Sequence, residues 1–144
     1  MKWTHRFLDL AATVAGWSKD PSTKVGAVAV DPASRRILEL GFNGLPRGVN
    51  DLPSRYERPK KYALVCHAES NLVAHAARPV LEGATVYVTH APCCDCAKLL
   101  INAGVAKIVC GSGQTNMKPE MFEAARTMFA EAGVEVEEAH VTAG

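Results

Sequence analysis

The sequence predicts an α/β fold, a three-layer α/β/α arrangement around a five-stranded mixed sheet. Three observations lead there. Apolar residues recur at helical spacing in four stretches and as short strand-like runs in five, in the order α-β-β-α-β-α-β-α-β. The first two runs are joined by "DPAS", a turn that suits an antiparallel hairpin. Each later strand is preceded by a helix, and strands linked in that way run parallel through crossovers.

Trp3, Phe7, Leu10, Val14 and Trp17 fall three or four residues apart, which lays them on one stripe of a first helix and assigns its aromatics to the core. That helix should stop near Gly16 to Ser18, where "SKDPSTK" brings turn formers and a proline. "VGAVAVD" and "RRILELGF" form the hairpin. "NGLPRGVNDLPSRYERPKK" then shows no period, and a loop that long inside a domain is usually functional. "YALVC" is strand-like, "HAESNLVAHAA" helical, "ATVYVTH" a strand and "CAKLLINAG" a helix closed by glycine. "VAKIVCG" is a strand, "PEMFEAARTMFAEAG" a helix between proline and glycine, and "VEVEEA" the last strand.

The 144 residues make one domain, 1–144, large enough to bury a core without staples. Sixteen basic against fifteen acidic side chains leave a formal charge of +1, which argues against nucleic acid as a partner and for a small, locally recognised molecule. No apolar run is long enough for a signal peptide or a membrane span, so a cytoplasmic protein is expected. Five cysteines is an odd count, and in a reducing compartment clustered thiols point to metal or catalysis before disulfides.

Three of those five lie in "PCCDC". Cys93 and Cys96 are three apart behind Pro92, so the first turn of a helix can aim both sulfurs to one side, and two thiolates at that spacing make half of a tetrahedral zinc site. Cys94 faces roughly away. His67 is the natural third ligand. Cys66 is poorly placed beside it and Cys110 sits within an apolar strand, so a fourth position stays open for water, as catalytic zinc requires. Glu69 lies two residues past His67, about 200° around a helix, so the two share a cleft only if His67 stands at the helix's first turn or cap. There the carboxylate can move a proton. H-A-E followed by P-C-x-x-C is the signature of zinc nucleobase deaminases.

At these residues the chain resembles the cytidine and deoxycytidylate deaminase superfamily. "SKDPSTKVGAVAVDP", "GFNGLPRGVND", "YALVCHAESN" and "GATVYVTHAPCCDCAKLLINAGVAKIV" are similar to the deoxycytidylate (dCMP) deaminases in particular. "GxNGxPxG" separates them from tRNA adenosine deaminases. A helix between the last two strands separates them from free-cytidine deaminases, where those strands pair antiparallel.

The resemblance implies that His67, Cys93 and Cys96 bind Zn2+ and that Glu69 shuttles the proton while water replaces the amine at C4 of cytosine, giving deoxyuridylate and ammonia. It also implies that Asn43 holds the sugar, that Gly26 and Ala27 lie against the base, and that the protein is a homo-oligomer. His90 and Ala91 depart from the family next to Pro92, where they could contact the base, and "GSGQTNMKP" departs after the fourth strand. A nucleotide phosphate needs cations, and Lys19, Lys24, Arg47, Arg55, Arg58, Lys60 and Lys61 cluster in the flanking loops, one or two of them as ligands. Two alternatives accompany this reading: the same machinery acting on another base (a modified cytosine nucleotide, guanine or tRNA adenosine), and a non-catalytic regulatory protein of the same fold.

Overall fold

The computed structural model describes residues 2–139. Its elements are α1 (Lys2–Ala15), β1 (Gly26–Val30), β2 (Ile37–Phe42), a 3-10 turn (Pro53–Tyr56), α2 (Lys60–Leu64), α3 (Ala68–His75), α4 (Arg78–Leu81), β3 (Thr85–His90), α5 (Cys94–Asn102), β4 (Lys107–Gly113), α6 (Pro119–Ala132) and β5 (Glu135–Glu138). The five strands form one sheet in the order β2-β1-β3-β4-β5. β1 pairs antiparallel with both β2 and β3, while β3, β4 and β5 run parallel, so the sheet is mixed as the sequence requires. With α6 between them, β4 and β5 are parallel neighbours.

Side-chain alternation along the strands builds the layers. Val28 and Val30 of β1 meet Phe7, Ala11 and Val14 of α1 on one face. Ala27 and Ala29 point the other way, into a core shared with Leu72 of α3, Leu100 of α5 and Phe129 of α6. β1 is therefore buried on both faces, which explains why "GAVAV" is apolar throughout.

The aromatic stripe of α1 is only half buried. Phe7 and Val14 are in the core, but Trp3 is 39% and Trp17 54% exposed. The helix ends at Ala15, so Trp17 leaves the helical register and meets Phe42 edge-on, with ring centroids 6.1 Å apart. Trp3, one helical turn before Phe7, is stacked on it with Arg6 and Arg35 over its ring.

The long loop contains structure that its composition hid. The 3-10 turn and α2 interrupt it, and the strand expected at "YALVC" is instead α2 followed by a single bridge between Gly44 and Cys66. Tertiary burial overrides local pattern there, because Lys61 is drawn inward to pair with Asp20. No helix among the described residues is long and apolar enough to cross a membrane.

Candidate active site

The strand register brings Gly26, Phe42 and His90 to one end of the sheet, beyond the carboxyl ends of the parallel strands β3 and β4. Helices α3 and α5 begin there. His67 is the N-cap of α3 and Cys93 the N-cap of α5, each with extended backbone, and their carbonyls accept the first helical hydrogen bonds from Asn71 and Ala97. Two helix N-termini thus converge, and their positive ends favour thiolates and carboxylates.

The side-chain donor atoms of His67, Cys93 and Cys96 all lie within 4.8 Å of one another. His67 Nδ1 is 3.2 Å from Cys96 Sγ and 3.5 Å from Cys93 Sγ. Zinc bonds of about 2.0–2.3 Å to nitrogen and sulfur, set tetrahedrally, need donors at roughly these separations. Three donors of the right type and spacing fit one zinc ion with a position left over. The Cys93 thiol is drawn down to about 4, chiefly by its hydrogen bond with Cys96 and, against burial, by His67. Cys96 is pushed up by that same bond and by burial. One sulfur is thus ready as a thiolate, the form that binds metal.

Glu69 sits in the first turn of α3, 4% exposed, on the same side as His67 because His67 is the cap. Burial raises its carboxyl to about 7, opposed by its own backbone N–H and by His67. A cation on the neighbouring donors would pull it down again.

His67, Glu69 and Cys93 line a cavity of about 580 Å³. Asn43, His90 and Ala91 also line it, whereas Gly26 and Ala27 do not. The last two were expected against the base, but they serve packing. A Cβ on Gly26 would come 1.9 Å from the Ala11 carbonyl oxygen, so glycine lets α1 sit directly on β1, and Ala27 is wholly buried between sheet and helices. Thr23 and Val25, just before β1, take their place in the wall. Asn43 holds that segment: its Oδ1 accepts from the Val25 N–H at 2.8 Å and its Nδ2 donates to the Thr23 carbonyl at 2.9 Å. One amide hydrogen and one lone pair remain for a ligand. His90 packs on Gly113, with Nδ1 2.7 Å from the Thr89 hydroxyl, and burial lowers its pKa and keeps it neutral.

Cys94 and Cys66 stand outside the donor group, and Cys110 is buried in β4 with its thiol pushed up to about 11 by burial. Of the seven loop cations only Arg58 and Lys61 reach the cavity. Lys19 pairs with Asp51, Lys24 donates to the Ser18 carbonyl and Arg55 to the Asn50 carbonyl. Lys61 is bound 2.8 Å from Asp20 and 3.0 Å from the Ser22 hydroxyl, while the other Asp20 oxygen accepts from the Ser22 and Thr23 amides. This buried pair ties the segment before β1 to the helix before His67. Lys61→Met strands the Asp20 charge and is expected to cost about 3 kcal/mol of stability, the lower figure because the amides remain. Chemical denaturation checks it, and a loss of under about 0.5 kcal/mol, as for an ordinary surface change, would contradict it.

Sequence reasoning missed the Asp20 network and the wall made by Thr115, Asn116, Met117, Lys118, Met121 and Phe122. "DPST" did carry a signal, since an aspartate commonly accepts from amides two and three residues on. Residues 115–118 of the second wall fall in "GSGQTNMKP", where the resemblance marked a departure but gave no residue a role.

Residues 1–112 match the family model described as the cytidine and deoxycytidylate deaminase zinc-binding region. The chain is 43% identical over 138 residues to an uncharacterized deaminase in the luxG 3′ region of Aliivibrio fischeri, covering 94% of this chain and 92% of that protein. It is 37% identical over 140 residues to the deoxycytidylate deaminase of Mus musculus, covering 93% and 78%. Among solved structures, the dCMP deaminase of cyanophage S-TIM5 in complex with dCMP and dUMP superposes with a TM-score of 0.75 at 27% identity, over 96% and 97% of the two chains. The donor triad, the buried glutamate beside it and these matches agree: the chain belongs to the zinc-binding cytidine and deoxycytidylate deaminase family of hydrolytic enzymes.

Proposed function

We propose that the protein deaminates a cytosine nucleotide hydrolytically, converting dCMP to dUMP with release of ammonia. The observation that carries this is Glu69, a buried carboxyl that forms no ion pair among the described residues, set beside the three-donor group at the cavity wall. The relatives named dCMP deaminase, and the phage enzyme's complex with dCMP and dUMP, support the choice of base and sugar.

In this reading His67 Nδ1, Cys93 and Cys96 hold zinc, which when bound acts as a Lewis acid and makes water nucleophilic near neutral pH. Glu69 takes the proton from the attacking water and delivers it to N3 of the ring. It then carries a second proton to the amine at C4, which leaves as ammonia. The free amide hydrogen and lone pair of Asn43 meet the sugar, and His90 and Ala91 bound the base. The whole chain acts as one domain. We place it in the cytoplasm, where the nucleotide and free thiols fit, and as a homo-oligomer, for which exposed Trp17, Phe42, Leu52 and Tyr62 offer apolar surface; sedimentation returning a monomer mass would refute the latter.

Ammonia release by zinc-loaded protein, measured on dCMP, deoxycytidine, guanine and tRNA, tests the function. kcat/KM for dCMP is expected to exceed that for deoxycytidine by at least ~10-fold, the worth of one charge-assisted phosphate contact. Equal values for the two, or preference for guanine or tRNA, would overturn the assignment.

A further inference from the structure

Charges around the cavity do not cancel evenly. Lys61 is matched by Asp20, and Asp95 by Lys98 at 3.1 Å. Once these pairs and the catalytic Glu69 are set aside, two charged side chains of the lining remain, Arg58 and Lys118, and neither makes an ion pair among the described residues. They come from different connections. Arg58 lies between the 3-10 turn and α2, on the β2 side of the sheet, and Lys118 caps α6 after β4. Both line the cavity yet are exposed, so they stay charged and free to turn onto a ligand.

Their donors are available. Arg58 Nε donates to the Tyr62 hydroxyl at 2.9 Å, which steadies the guanidinium and leaves both Nη groups for a forked contact with phosphate oxygens. The Lys118 ammonium has no hydrogen bond to a described residue and adds a point charge from the other wall. Two unmatched positive charges complement a phosphate monoester, whose charge near pH 7 is about −1.5 to −2. The buried Cys93, Cys96 and Glu69 take the reacting end of the substrate, so the exposed cations of the lining meet its far end.

The geometry points to Arg58 and Lys118 as a two-sided clamp for the 5′-phosphate, the determinants of monophosphate over nucleoside, with Lys61 bracing the wall. This rests on the nucleotide reading above. It also gives the departure at "GSGQTNMKP" a purpose, since that segment delivers Lys118 to the cavity.

The test uses zinc-loaded protein carrying Arg58→Gln, Lys118→Gln, both together, or Lys60→Gln, a neighbouring cation outside the cavity. Each clamp variant should lower the ratio of kcat/KM for dCMP to that for deoxycytidine by roughly 10-fold, the double variant by more, mainly through KM, because a distant phosphate contact is made equally in ground and transition states. Calorimetry with dUMP should show the same loss of affinity without turnover. Lys60→Gln should leave the ratio unchanged. The clamp is overturned if the wild-type enzyme prefers dCMP and the double variant keeps that preference, an outcome that leaves the nucleotide reading standing. If wild-type enzyme shows no preference for dCMP, both fall together.

Discussion

Glu69→Gln should keep its metal and its fold yet lose at least ~10²-fold in kcat, up to ~10⁴. Glutamine reproduces the shape of the buried side chain and cannot carry a proton. In the proposed reaction Glu69 moves two protons of the attacking water, one to the ring nitrogen and one to the departing amine. The carboxyl is well matched to the task, since burial raises it to about 7 and a cation on His67, Cys93 and Cys96 would bring it back toward the carboxylate. The neutral amide also relieves the burial of a charge, so the variant should melt no lower than the parent. Turnover within a few-fold of the parent, at full zinc occupancy, would remove Glu69 from the chemistry.

Cys96→Ala should abolish both zinc retention and activity, while Cys94→Ser keeps both. Only Cys93 and Cys96 share the donor cluster with His67, and Cys94 starts α5 facing elsewhere. With zinc at a hundredfold excess over its dissociation constant, the parent should gain about 2.7 kcal/mol of stability, and Cys96→Ala should gain almost none. Metal analysis and melting with and without a chelator measure this. Zinc lost with Cys94→Ser, or retained with Cys96→Ala, would require a different ligand set.

Both expectations stand on residues legible in the sequence, and the reason is local. Within one helical turn the backbone dictates where side chains go, so H-A-E and P-C-x-x-C imply two helix starts with caps and first-turn residues on one side. His67 and Cys93 are those caps. Strand and helix order was legible for the same reason, because burial on one or two faces imposes a period of two or of 3.6. "YALVC" marks where this fails: its pattern is strand-like, but a lysine drawn inward by an aspartate 41 residues earlier makes α2.

By itself, then, the sequence determined the mixed five-stranded sheet, the His67, Cys93 and Cys96 donor group and the buried glutamate beside it. Tertiary structure alone decided which side chains wall the cavity. Gly26 turned to packing because α1 lies directly on β1, and Ala27 because it points into the core on the opposite face of the sheet. Of seven loop cations, five stay outside the cavity, Lys61 is neutralised by Asp20, and Arg58 is left to share the lining with Lys118, a lysine some sixty residues away that no local pattern connects to it. Charge compensation depends on distances of a few ångströms between segments far apart in the chain, and such distances exist only once the core has closed.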